Sequence, residues 1–402
     1  MYEWIIVGGG VHGVLHANAL LRVHGVRAED IRIVDPHTRP LHRWSHRLAN
    51  AGAAYLRSPG AHTLEPDFGA IVRFARTRGD VPSPFIDPYR RPSTRLFSAY
   101  VEAVLDRMPL ADMFVRGVVE DIRLDRETVV AETSAGTLSS RRLLLAVGRS
   151  EELEIPPWAE SLAGRGGEVH HVYDPEFDLG QFNASGPCVV VGGGIGAAQV
   201  ALAMARRGLE AIVLSRRPVT VSMFDSEPCF IGPKCLREFR NTASYEERRD
   251  MIKEARRTGT VPQFVYDDLM SAVDAGRIRL CVGEVTDTAI QPGGTPRQVG
   301  LFTGAEAIRC TSVILATGFR DLVPAAALVD RLSDRYGFPR APDGYPLPSP
   351  SLEWGGGIYL TGPLAELELG PPAPNIIGAH NAARGMLGVR SWKSALDHVQ
   401  EA

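Results

Sequence analysis

Lysine is nearly missing from this chain: Lys234, Lys253 and Lys393 are the only three among 44 basic residues, and the other 41 are arginine. The skew reads as coding bias first. Against 47 acidic residues the formal net charge is −3, so there is no basic surplus, which argues against nucleic acid as the main partner. Cysteine is also sparse. Five residues, at 188, 229, 235, 281 and 310, form no Cys-x-x-Cys pair and no zinc-like spacing, and a reducing cytoplasm fits them best. No basic leader and no small-residue cleavage site follow Met1, so no export signal is read. Two uncharged 18-residue stretches, Trp4 to Leu21 and Cys188 to Ala205, are each broken by four glycines, which argues against membrane spans. No coiled-coil heptads stand out, and the oligomeric state stays open, a homo-oligomer being compatible with the chain.

What is present is 402 residues, 44% of them hydrophobic, enough for two or three domains with sizeable cores. The start reads as a strand, Trp4 to Val7, then Gly8-Gly9-Gly10-Val11-His12-Gly13, then a helix to about Leu21. In such a pattern Gly8 makes a tight turn, Gly10 lets backbone approach a pyrophosphate, and Gly13 lets helix pack closely on strand. A second strand, Ile31 to Val34, ends in Asp35, where a carboxylate can accept hydrogen bonds from an adenosine ribose. The unit is expected to hold a dinucleotide. Asp35 could also be an ordinary strand-end carboxylate.

The same unit returns 184 residues later: Cys188 to Val191, then Gly192-Gly193-Gly194-Ile195-Gly196-Ala197 and an alanine-rich helix to about Arg207. Gly192, Gly194, Gly196 and Ala197 are its candidate cofactor contacts. The spacing is too long for a solenoid, so this is a second domain. Its next strand, Ala211 to Leu214, ends in Ser215-Arg216-Arg217 rather than an acid. Two guanidiniums can clamp a ribose 2′-phosphate that a carboxylate would repel, so NADPH is expected over NADH. Alternatively both arginines are merely solvated.

Each unit has a closing strand, Leu143 to Val147 before Gly148-Arg149, and Val313 to Thr317 before Gly318-Phe319-Arg320. Gly148 and Gly318 are candidate cofactor contacts. Ile155-Pro156-Pro157-Trp158 looks like a stiff connection, and the segment 113–131 like a small meander, with Val119 a further candidate contact. Residues 321–350, carrying six prolines, read as mostly irregular. The expected fold is α/β with two Rossmann-like three-layer domains.

This arrangement resembles the flavoproteins with two dinucleotide-binding domains, in which an FAD domain is interrupted by an NAD(P)H domain. The resemblance implies an FAD domain of residues 1–160 and 312–402 and an NADPH domain of 165–311. It also implies a late strand and helix at the flavin, matched by Gly357 to Gly362 and Ile376 to Leu387. Pro363 follows Gly362 where aspartate is usual, so the carboxylate to the ribityl chain is either missing or displaced to Glu366 or Glu368. Cys229 and Cys235 lack the spacing of the disulfide reductases. More narrowly, Ala316-Thr317-Gly318-Phe319, Arg43-Trp44-Ser45-His46 and Tyr55-Leu56-Arg57-Ser58-Pro59 with Arg95 to Tyr100 are similar to stretches of the N-hydroxylating flavin monooxygenases of the ornithine and lysine type. The family's lysine and aspartate are replaced by Arg57 and Ser58.

That resemblance implies an FAD-dependent, NADPH-using monooxygenase that hydroxylates a small nucleophile, an amine first of all, with molecular oxygen through a flavin hydroperoxide. No catalytic side chain then needs to be acidic or nucleophilic, and no triad is expected. Trp44 is placed against the flavin, and Arg57 and Asn375 are the catalytic candidates. Trp44 could equally be a core aromatic, Arg57 a surface ion-pair partner, and Asn375 a helix cap. His42 and His46 have no further ligand at metal-like spacing, so no metal is expected. The alternatives are an FAD/NAD(P)H oxidoreductase without oxygen insertion and a non-catalytic flavin-binding redox sensor.

Overall fold

The computed structural model describes residues 1–79, 81–149, 152–291, 297–304 and 306–401. Strand β1 (Tyr2–Val7), helix α1 (Val11–Arg22) and strand β2 (Ile31–Asp35) form the first βαβ unit, β1 and β2 running parallel with Trp4 opposite Ile31. Helix α2 (His42–Ala51) and helix α3 (Thr94–Arg107) follow, then β3 (Phe114–Arg116) on the far edge of β2. The expected meander is β4 (Val119–Asp125), β5 (Thr128–Thr133) and β6 (Gly136–Leu145), whose last part returns to pair parallel with β1. Alternation along β1 makes the three layers: Trp4 and Ile6 pack into one core, Ile5 and Val7 into the core on the other face of the sheet, as a parallel strand covered on both sides requires.

The second domain opens with α4 (Pro157–Gly164) and β7 (Glu168–His171), then β8 (Cys188–Val191), α5 (Ile195–Arg206) and β9 (Ala211–Ser215). Helices α6 (Pro233–Asn241), α7 (Tyr245–Ala255) and α8 (Gln263–Asp274) lead to β10 (Ile278–Val282). An antiparallel set of β11 (Val285–Ile290), β12 (Val299–Thr303) and β13 (Ala307–Cys310) precedes β14 (Ser312–Leu315). The parallel sheet runs β10-β9-β8-β14-β7.

Two expected boundaries move. Residues 312–315, assigned to the first domain, pair with β8 and β7 in the second sheet, so the return crosses after Phe319. Pro157 and Trp158 do not form a linker: Pro157 starts α4 after Pro156 as its cap, a position where proline's missing N–H costs nothing, and Ala159 and Leu162 pack on the second sheet. Helix α9 (Ala326–Tyr336) also occupies much of the segment expected to be irregular, burying Leu328, Val329 and Leu332 against the first sheet. Strands β15 (Glu353–Gly355) and β16 (Ile358–Leu360) complete that sheet, β16 parallel to β6, and α10 (Ile376–Met386) packs on α1.

Candidate functional site

The turn after β1 is dictated by sterics. Gly8 sits at φ +107°, a Cβ there would lie 2.4 Å from the Ala146 carbonyl oxygen, and a Cβ on Gly13 would lie 1.9 Å from the Gly8 oxygen. Gly10 has nothing within 4 Å, so the open side of the turn is the one from which a pyrophosphate can reach the backbone amides opening α1. Asp35 does not wait free for a ribose: Gly9 N–H donates to its Oδ2 (2.8 Å) and His37 N–H to its Oδ1 (3.0 Å). Oδ1 also lies 2.8 Å from His37 Nδ1, while Oδ2 has only the Gly9 N–H and keeps acceptor capacity, and the residue lines the cleft described next.

That cleft measures about 1350 Å³. One wall is first-domain: Gly8 to Val11, Asp35, Trp44, Leu56 to Pro59, Val119, Gly148, Arg149 and the α10 N-terminus from Pro374 to Ile377. The other wall carries Tyr173, Phe224, Asp225, Ser226, Ile231 and Phe319. Tyr173 and Phe319 stack with ring centres 5.1 Å apart, and the Arg47 guanidinium lies 4.5 Å above Phe319. Burial lowers Arg47 to about 10, so it stays a cation at neutral pH.

Two buried histidines, His12 and His62, line the cleft, and His16 and His380 are buried outside its lining. His12 Nδ1 is 2.8 Å from Thr361 Oγ1, and His16 Nδ1 is 2.7 Å from the His12 carbonyl oxygen, leaving His16 Nε2 buried without a partner. Trp392 donates to His380 Nδ1 (2.8 Å), so His380 Nε2 carries the proton it shares with Thr63 O (3.0 Å). Desolvation pushes His12 and His62 down to about 4 and His16 and His380 to about 3. All four are neutral.

A second pocket, about 360 Å³, is lined by Gly193, Ser215, Arg216, Arg217, Arg256, Arg257 and Thr260 among others. Arg216 and Arg217 are exposed and make no ion pair among the described residues, while Arg256 is tied to Glu366 and Arg257 to Glu227. Gly192 (φ +150°) approaches the Ala316 carbonyl oxygen, Gly194 approaches Gly259, and Ala197 is buried. These shape the turn, while Gly193 faces the pocket.

Several expected residues have other work. Arg57 lines the cleft, but its guanidinium donates to Ser222 O (2.8 Å), Phe224 O (2.6 Å), Thr260 Oγ1 (3.0 Å) and Thr260 O (3.3 Å), so it staples the two domains. Buried Arg91 adds bonds to Arg57 O and Met223 O. Asn375 precedes α10 without a side-chain cap bond and donates instead to Asp225 Oδ1 (3.2 Å). Trp44 lines the cleft and packs 5.2 Å from Phe97. Gly318 and Gly362 do not line the cleft; Gly362 lies against the His12 ring. Glu366 and Glu368 are buried in ion pairs, with Arg249 and Arg256, and with Arg240 and Arg248. Neither is free for a ribityl chain. Cys229 and Cys235, set aside on spacing, are joined in a disulfide because the short turn before α6 brings their Cα atoms to 5.4 Å. Sequence reading gave no role to Asp225, which lies in the segment 224–235 expected near the pocket, to Arg149 after the closing strand, to His12 inside the glycine turn, or to His62.

Residues 5–150 match the FAD-NAD(P)-binding family model. No curated protein matches the chain. Among solved structures it is similar to the FAD-bound cadaverine monooxygenase of the desferrioxamine biosynthetic pathway from Erwinia amylovora, at 15% identity and TM-score 0.72, over 98% of this chain and 95% of that one. It is similar to the ornithine N-hydroxylase of Kutzneria sp. 744, at 14% and 0.70 over 100% of both chains. It also resembles the L-lysine 6-monooxygenase of Pseudomonas syringae, at 18% and 0.65 over 99% and 100%. The fold of the chain is therefore that of two-domain FAD and NADPH monooxygenases.

Proposed function

We propose that the chain binds FAD on residues 1–156 and 320–402, binds NADPH on 157–319, and hydroxylates the nitrogen of a small amine with molecular oxygen. The observation that carries this is the adjacency of the two cavities: Arg57 lines the large cleft and bonds Thr260, which lines the second pocket. The three compared enzymes are named for amine substrates and have this architecture end to end.

The first-domain residues fit FAD. Gly8 and Gly13 close the turn, Gly10 leaves the approach open, and Asp35 stands at the strand end with acceptor capacity to spare. When bound, the flavin supplies the two-electron and oxygen chemistry. The chain positions the reactants and keeps water from the reacting atoms; Trp44, Leu56, Ile231 and the Tyr173–Phe319 pair provide apolar wall. Asp35→Ala should weaken FAD retention about tenfold, by loss of a charge-assisted contact and loosening of the Gly9 turn. The check is flavin per protein after dialysis; release of FMN instead of FAD would refute the first-domain assignment.

The function itself is tested with L-ornithine, L-lysine and cadaverine, scored by hydroxylated product and not by NADPH loss. Product formed in step with NADPH is expected; peroxide alone from every amine would count against the reading. The second reading, electron transfer without oxygen insertion, draws on the Cys229–Cys235 bridge, yet neither cysteine lines the cleft although Ile231 between them does. Reduced enzyme reoxidised faster by a disulfide or a quinone than by oxygen would select it.

A further inference from the structure

We infer that Asp225 is the residue that grips the substrate amine and takes its proton. The inference rests on the amine reading above and deepens it. An alkylamine is an ammonium ion at neutral pH, and an ammonium nitrogen has no lone pair with which to attack oxygen. A site that hydroxylates nitrogen therefore needs an acceptor for the ammonium in its wall, and that acceptor has to be able to hold a proton.

The cleft offers few candidates. Asp35 is engaged by Gly9 and His37 in the glycine turn, and Glu152 is paired with Arg320. Asp225 opens onto the cleft from the second-domain wall and makes no ion pair among the described residues, its carboxylate accepting one hydrogen bond, from the neutral amide of Asn375. The groups facing it do not fill the acceptor. Arg57 is near but spends its guanidinium on Ser222, Phe224 and Thr260. His62 is neutral through burial. Arg149, which also opens onto the cleft, makes no hydrogen bond to Asp225 among the described residues.

The backbone that carries the carboxylate is also fixed. Arg257 N–H donates to the Asp225 carbonyl (2.8 Å), Glu227 N–H to the Ala255 carbonyl (2.9 Å), and the preceding Phe224 carbonyl is fixed by Arg57 (2.6 Å). An acceptor placed on backbone locked on both sides is preorganised for an incoming cation. The stoichiometry closes with one proton: R-NH₃⁺, O₂ and NADPH give R-NHOH, NADP⁺ and H₂O. The nitrogen gains one oxygen atom and NADPH surrenders two electrons. The proton that Asp225 accepts from the ammonium is passed on and completes the water, restoring the carboxylate.

The test compares the flavin-loaded wild type with Asp225→Asn, which keeps shape and removes charge, and Asp225→Glu, which keeps charge. Cadaverine, L-ornithine and L-lysine serve as probes. Binding is read by calorimetry and turnover by hydroxylated product, with flavin content and the melting curve as controls for loading and fold. The best amine should bind Asp225→Asn about 10- to 150-fold more weakly, with kcat falling as well, and Asp225→Glu should recover part of both. Equal loss in Asp225→Glu and Asp225→Asn would reduce the residue to a structural partner of Asn375 and overturn the assignment. Binding and kcat within threefold of wild type in Asp225→Asn would overturn this assignment alone. A wild type that hydroxylates none of the three overturns the amine reading and this assignment with it.

Discussion

Replacing Arg216 and Arg217 together by alanine is expected to raise the NADPH requirement at least 10- to 150-fold while leaving the NADH requirement within a few-fold of wild type. Each lost guanidinium contact to the 2′-phosphate is worth about 1.5 to 3 kcal/mol. The effect is not absorbed by neighbours, because the other two arginines of the pocket, Arg256 and Arg257, are held by Glu366 and Glu227. NADH lacks the phosphate and is the internal control for damage to the pocket. The measurement is the rate of anaerobic flavin bleaching against nucleotide concentration. Equal losses with both nucleotides, or an unmutated protein that prefers NADH, would reduce the pair to solvated surface arginines.

The second large effect is loss of stability in mild acid. His12, His16, His62 and His380 are buried with pKa values lowered to between about 3 and about 4, whereas an unfolded histidine titrates near 6.5. Below that value the unfolded chain binds more protons than the folded one, so stability is complete above about pH 6.5 and is lost as pH falls toward the folded values. Between pH 8 and pH 5 each histidine costs at most about 2 kcal/mol, and the four together at most about 8 kcal/mol, a ceiling comparable with the whole stability of an ordinary domain. Melting curves at constant ionic strength should therefore drop steeply below about pH 6. His380→Gln should flatten the slope by about a quarter, at the expense of lower stability at pH 8, since Trp392 and Thr63 lose a ring that satisfies both. A melting temperature constant down to pH 5 would mean that the cluster protonates inside the fold.

Sequence made both glycine turns legible because their constraint is local: Gly8 and Gly13 are needed by atoms a few residues away or on the adjoining strand. The strand at 312–315 was equally visible, but its local pattern says nothing about which sheet it joins; that is settled by Ser312 meeting Cys188 and Glu168. Helix α9 was hidden by the prolines around it, although Pro324 and Pro339 lie outside its ends and Ala325, at φ 50°, makes the turn into it. The cleft wall was least legible. Asp225 and Asn375 are 150 residues apart, and the acceptors of Arg57 lie 165 to 203 residues away. Nothing in the short range marks such a residue, and the motif that brought Arg57 to notice pointed to a ligand, whereas three of its four acceptors are backbone carbonyls.

That staple bears on how far the molecule can be treated as modular. Arg57 and Arg91 reach from the first domain into the carbonyls of Ser222, Met223, Phe224 and Thr260, and Asn50 accepts from Leu179 N–H and donates to Phe177 O. A transplanted nucleotide-binding cassette would have to present acceptors at those same points or strand two desolvated guanidiniums, a penalty that grows with burial. If Arg216 and Arg217 hold the 2′-phosphate as proposed, cofactor preference is better re-engineered at their tips than by domain exchange.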